Sequence, residues 1–136
     1  WGPELVEAAN GRVLLGEKGQ FSRAIPWDEV CKADPDFLIV APCGFGIDRT
    51  RRELPLLEAL PGWSQLKSVR AGRVALADGN LYFNRSGVTI VETVEILAEI
   101  LHGYRGTAHR NAGAWQPYAD TAVRANDSGL PLESNN

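Results

Sequence analysis

The chain has little that could hold a metal. Its 136 residues include two cysteines, Cys31 and Cys43, and two histidines, His102 and His109. Neither cysteine has a second ligand at C-x-x-C spacing and the histidines stand far along the chain, so the pattern of a zinc site is missing. With Cys31 in a helix and Cys43 at the far end of the next strand, their Cα atoms are expected beyond the roughly 7 Å limit for a disulfide; both thiols are read as free. Charge of one sign is missing too. Fourteen basic against 17 acidic side chains leave a net charge of -3, which indicates neither a nucleic-acid surface nor a polybasic membrane anchor. No apolar run approaches the ~20 residues of a membrane-spanning helix. No signal peptide is visible ahead of Trp1, and the natural N-terminus is expected to have been lost, so export is not legible here.

What is present suits one ordinary core. At 44% hydrophobic and 23% charged, the chain is expected to make one domain, or one lobe of a larger one. "PELVEAAN" (3–10) reads as a helix, with Pro3 tolerated in its first turn and Gly11 where it stops. "RVLL" (12–15) reads as a short strand, followed by the polar loop "GEKGQFSRA". "PWDEVCKA" (26–33) reads as a helix with Asp28 and Glu29 in its favoured acidic first turn. The uninterrupted run Phe37–Ala41 matches a strand buried on both faces. Asp48 is expected to cap a helix over 49–60, with Leu54, Leu57 and Leu60 at helical spacing. "GRVALAD" (72–78) reads as the third strand and "GNLYFNRSG" as an aromatic loop. In the helix 88–102, Ile90, Val91, Val94, Leu97 and Leu101 form an apolar stripe, with Glu92, Glu95 and Glu99 facing elsewhere. Alternating helices and short apolar strands predict an α/β fold with a mainly parallel sheet and crossover helices. A three-strand sheet is thin, so further strands are expected upstream of Trp1. Residues 103–136, rich in Gly, Ala and Asn, read as a partly disordered tail anchored at most by Trp115 and Tyr118.

Ligands of open parallel sheets collect beyond the carboxyl ends of the strands. The loops "GQFSRA", "PCGFGIDRT" and "GNLYFNRSG" are expected to converge there, presenting Phe21, Phe45, Tyr82 and Phe83 with Ser22, Asn84 and several arginines. Such a rim suits a large, flat, partly apolar ligand with amide or acidic side groups. No catalytic constellation is legible. Cys43 has no histidine near it in sequence, and "GFGIDR" has only the first two glycines of a dinucleotide fingerprint. Simpler roles compete: local packing for the aromatics, dipole-favoured acids at Asp28 and Glu29, and an Arg49–Glu53 pair along the helix. Arg49, Arg51 and Arg52 nevertheless crowd the expected first turn, where each cation costs roughly 0.3–1 kcal/mol.

Taken in order, "WGPELVEAANG", "GQFS", "PWDEV", "ADPDFLIVAPCGFGIDRT", "LPGWSQLKSVRAGRVALADGNLYFNRSG" and "VETVEILAEILH" resemble the C-terminal lobe of cobalamin-type periplasmic binding proteins, the substrate-binding components of ABC importers for cobalamin and iron chelates. The likeness covers roughly residues 1–102. It implies a three-layer αβα lobe of the class III periplasmic-binding-protein type, facing an N-terminal lobe absent from this chain. It further implies a periplasmic or other extracytoplasmic setting, a corrinoid as transported ligand with no covalent cofactor, no enzymatic activity, and the permease subunits as partners. Phe21, Ser22 and Arg23 fall in a loop that contacts the corrin, and Tyr82, Phe83, Asn84 and Arg85 in the loop at the end of the last strand. Gly44, Phe45 and Arg49 complete the candidate set, with Arg49, and Arg51 beside it, expected to support the ligand edge or the opposite lobe. Asp28, with Glu29 beside it, falls where relatives carry an acid that engages arginines of the membrane subunit. Relatives usually continue "NR" with Pro-Gly-Pro-Arg where this chain has Ser86-Gly87-Val88-Thr89, and often carry histidine at the place of Phe21. An iron-siderophore or haem ligand is therefore the first alternative. A free-standing α/β enzyme or regulatory domain is the alternative of another class.

Overall fold

The computed structural model describes residues 1–84, 87–103 and 108–119. Helix α1 (Gly2–Ala8) is followed by a long irregular segment to α2 (Trp27–Ala33), strand β1 (Leu38–Val40) and helix α3 (Ile47–Glu58). A 3-10 turn at Trp63–Gln65 and the short α4 (Lys67–Arg70) lead to β2 (Val74–Ala77) and a π-helical turn at Gly79–Phe83. Helix α5 (Ile90–His102), α6 (Ala108–Asn111) and β3 (Trp115–Pro117) complete the described chain.

The sheet has the order β1-β2-β3. β1 and β2 run parallel, with Leu38 opposite Val74 and Val40 opposite Leu76. β3 is antiparallel to β2, with Ala77 opposite Trp115. The chain is thus mixed helix and sheet, compatible with α/β, but the sheet is mixed rather than mainly parallel. Every residue of β2 is buried, as a central strand covered on both faces requires. Ala75 faces a cluster with Ile96, Ile100 and Ala114. Val74 faces the other way, into a cluster with Trp63 and Leu66 that also takes in Leu38, Val40 and Leu57.

The structure departs from the expected elements at several places. "RVLL" is not a strand; residues 11–13 have no regular structure and 14–15 form a bend. Gly11 explains the route. Its amide donates to Val6 O, and a Cβ there would come within 2.7 Å of Leu101 Cδ1, so the chain leaves α1 pinched against α5. An ion pair between Lys18 and Glu7 then holds the following loop back against α1. The third strand comes instead from Trp115–Pro117, within the stretch read as a tail.

Helix α5 is buried on two sides, which a single apolar stripe does not describe. Leu97 packs with Leu5 of α1 and with Ala9 just beyond its end, with Ile90, Val94 and Leu101 at the margin. Ile96 and Ile100 face the sheet, while Val91, expected in the stripe, is 65% exposed. Glu99, expected to face away, is buried. Its carboxylate accepts from the backbone amides of His109 (3.2 Å) and Arg110 (3.3 Å) and from Trp115 Nε1 (2.8 Å). One carboxylate thereby serves orphan amides in the first turn of α6 and anchors β3. Tyr118 adds an edge contact to Trp63, at 5.9 Å between ring centres, and a hydrogen bond to Glu58 of 2.6 Å.

Helix α3 starts two residues earlier than expected, with Gly46 rather than Asp48 at the N-cap. Asp48 pairs instead with Arg51 at 3.1 Å.

Candidate functional site

Beyond the carboxyl ends of β1 and β2, two loops are welded by backbone bonds. Phe45 N donates to Pro42 O at 3.1 Å, closing a turn whose third residue, Gly44, has φ +75. Cys43 is not among the positive-φ residues, so the turn is type II and Gly44 is the residue it demands. Phe45 O then accepts from Gly79 N (3.0 Å) and Asn80 N (3.2 Å). Asp78 turns back to accept from Asn80 N and Leu81 N, each at 2.8 Å. Asn84 Nδ2 donates across to Ala41 O (3.2 Å) and to Gly79 O (2.8 Å). A Cβ built on Gly79 would lie 2.1 Å from Pro42 O, so the two loops touch only because that residue is glycine.

This weld gives several candidate residues internal partners. Asn84 joins the loops and Gly44 makes the turn. Tyr82 packs against the Ala75–Ile96 cluster, and its carbonyl oxygen accepts from Thr93 Oγ1 at 2.8 Å. The Arg49 guanidinium lies 3.8 Å above the Phe45 ring, a cation–π contact. Arg51 reaches Gln116 Oε1 at 2.5 Å, tying α3 to β3. Arg85 lies outside the described residues.

The third loop stands apart and makes a groove. Phe21, Ser22 and Arg23 line a cavity of about 870 Å³ whose floor is Ile39, Ala41, Phe83 and Leu97. Trp1 and Leu5 of the α1 region and the 13–17 segment form its walls. Phe21 is 100% exposed; its ring borders the groove without being packed. The groove therefore joins Phe21, Ser22 and Arg23 to Phe83, while Gly44, Phe45, Arg49, Tyr82 and Asn84 are not among its lining residues. The contribution of Trp1 and α1 was not legible, because an amphipathic N-terminal helix gives no sign that it borders a ligand space. A second groove, of about 440 Å³, shares Val13, Leu14 and Leu15 with the first and is bordered by residues 36–39.

The two candidate docking acids are solvent-facing but partnered. Asp28 pairs with Lys32 at 2.9 Å, the side chains being 67% and 77% exposed. The Lys32 hydrogen bond is the main influence holding the Asp28 carboxyl below the usual carboxylate range. Glu29 is held by Arg23, with contacts of 2.7 and 3.5 Å. Cys31 is half-buried and Cys43 exposed, both as free thiols. Among the described residues no three His, Cys, Asp or Glu side chains converge as a metal site would need.

In comparisons with known proteins, no family model, no curated protein and no solved structure matches the chain.

Proposed function

We propose that the chain is a non-enzymatic ligand-binding lobe of the class III periplasmic-binding-protein type, serving an ABC importer as its substrate-binding component. Its ligand is cobalamin or a related corrinoid, held against a second lobe outside this chain and delivered to a membrane permease in an extracytoplasmic compartment. The supporting observation is the groove between β1, α1 and α5, where an apolar floor of Ile39, Ala41 and Phe83 meets a rim carrying an unpacked Phe21 and the polar Ser22 and Arg23. At about 870 Å³ it falls within the usual size range of small-molecule sites. Apolar area and aromatic faces supply burial, and a few polar tips fix orientation.

Arg23 also suits an acidic side group, which keeps the haem and ferric-siderophore alternatives in the same test. Calorimetric titration of the chain joined to its second lobe, with cyanocobalamin, hemin and a ferric siderophore, distinguishes them. Saturable one-to-one binding of cyanocobalamin alone is the expected result. Binding of hemin or the siderophore alone reassigns the ligand, and binding of none removes the reading.

A further inference from the structure

We propose that Arg23 is a two-position contact that reports whether the groove is filled: it holds Glu29 when the groove is empty and turns to the ligand when it is occupied, uncovering the Glu29 carboxylate. The inference rests on the ligand-binding reading above and adds to it a regulation that links the groove to the acidic corner of α2.

Three observations carry it. Arg23 borders the groove, beside Phe21 and Ser22. Its guanidinium is at the same time bonded to Glu29, with Nη2 at 2.7 Å from Oε2 and Nη1 at 3.5 Å from Oε1. The segment carrying it is held mainly at its surface: residues 16–24 are all exposed, Lys18 pairs with Glu7 of α1 through exposed side chains, and among the described residues the loop's backbone bond, Gln20 N to Glu17 O, is long at 3.4 Å. Gly16 and Gly19, at φ +156 and +71, give that segment turning points.

The pair is weak enough to be exchanged. Its side chains are 60% and 38% exposed, and exposed pairs of this kind contribute little to stability. Arginine's five donors can donate to an amide or carboxylate oxygen of a ligand as well as to the Glu29 carboxylate. A buried acceptor in the groove, screened from water, would outcompete a solvent-facing one. Asp28 next door keeps its own partner, Lys32, so the change on filling is confined to Glu29. The consequence for a cationic partner surface is one more unpaired carboxylate in the loaded state. Coupling is reciprocal, so removal of the pair should change ligand affinity and Glu29 availability together, each by about two- to fivefold for an exposed pair.

The test labels carboxylates with a carbodiimide and glycine ethyl ester and reads each site by peptide mass spectrometry. Without ligand, Arg23→Gln should raise Glu29 labelling about two- to fivefold over the wild-type chain, with Asp28 unchanged as the internal reference. Saturation of the wild-type protein with cyanocobalamin, or with hemin or the ferric siderophore if calorimetry selects it, should raise Glu29 labelling to the level of the variant, and the variant should show no further rise. Equal Glu29 labelling in wild type and Arg23→Gln overturns the proposal. So does a bound probe that leaves Glu29 labelling unchanged, and in that case the ligand reading survives. If calorimetry finds no binding of cyanocobalamin, hemin or the ferric siderophore, the ligand reading fails and the switch, which needs an occupant, fails with it.

Discussion

Arg49, Arg51 and Arg52 look misplaced at the start of a helix only while that helix is taken to begin at residue 49. With α3 starting at Ile47, Arg49 alone remains in the first turn, and the dipole effect fades beyond that turn. Arg49 is compensated by the Phe45 ring below it, and Arg51 by Asp48 and Gln116. Gly79 is the sharpest single-residue constraint. Gly79→Ala would drive a Cβ to 2.1 Å from a backbone carbonyl oxygen that has no rotamer to escape into. A loss of about 3 kcal/mol is expected, at the upper end for overpacking, read as a lower urea midpoint at unchanged slope. Glu99 is the second. Glu99→Ala strands the amides of His109 and Arg110 and the Trp115 indole, for a loss of roughly 3 kcal/mol. Glu99→Gln should cost less, about 1–2 kcal/mol, because the amide oxygen still accepts while its NH2 faces a donor.

Among the elements, helices were the more legible. The helix readings at 3–10, 26–33 and 88–102 overlap α1, α2 and α5, because Pro3, the acids of α2 and the apolar spacing of α5 are local signals. The strands over 37–41 and 72–78 contain β1 and β2 because both are continuous apolar runs; β2 is buried throughout, whereas β1, expected to be buried on both faces, is an edge strand of half-buried residues. "RVLL" and "WQP" were misread in opposite directions. A four-residue run cannot declare whether a neighbouring edge will take it, and Trp115–Pro117 becomes a strand through partners distant in sequence: Glu99, Arg51 and the β2 edge. The weld between the loops after β1 and β2 was legible as a meeting place of loops but not as a closed hydrogen-bond network. The docking of 108–119 makes its own pH prediction. Burial first, and the bond to Glu58 second, raise the Tyr118 phenol above the ordinary 10.0. The native state then keeps a proton that the unfolded chain releases, so the contribution is complete below about pH 10 and lost as pH climbs through the folded value. Tyr118→Phe should flatten that alkaline decline while lowering stability at neutral pH by about 1 kcal/mol for the lost hydrogen bond. Denaturation midpoints measured from pH 7 to 11 check both parts.

For the whole molecule, the proposed function rests on the division between a part welded by backbone bonds and a part tethered by exposed side-chain pairs. The loops after β1 and β2 are fixed to each other and to the core, whereas residues 16–24 stay exposed beside the groove. A floor fixed by the weld beside an exposed wall is the arrangement on which the proposed ligand-binding reading rests. Phe21 isolates the binding contribution of that wall, because its ring is 100% exposed and its removal costs no buried area. Phe83 does not have that property, since it also packs against the Ile96 cluster and against Leu97. Phe83→Ala should therefore lower stability by up to about 3 kcal/mol as well as weaken binding.

The decisive measurement is the affinity of the chain joined to its second lobe, as wild type and as Phe21→Ala, for cyanocobalamin by calorimetry, with the thermal midpoint of each recorded alongside. Binding by the wild type, weakened about tenfold in the variant at an unchanged midpoint, is the expected result, corresponding to about 1.4 kcal/mol of aromatic contact. Equal affinity in the two proteins would place the ligand elsewhere than in this groove, and no binding by the wild type would contradict the corrinoid reading itself.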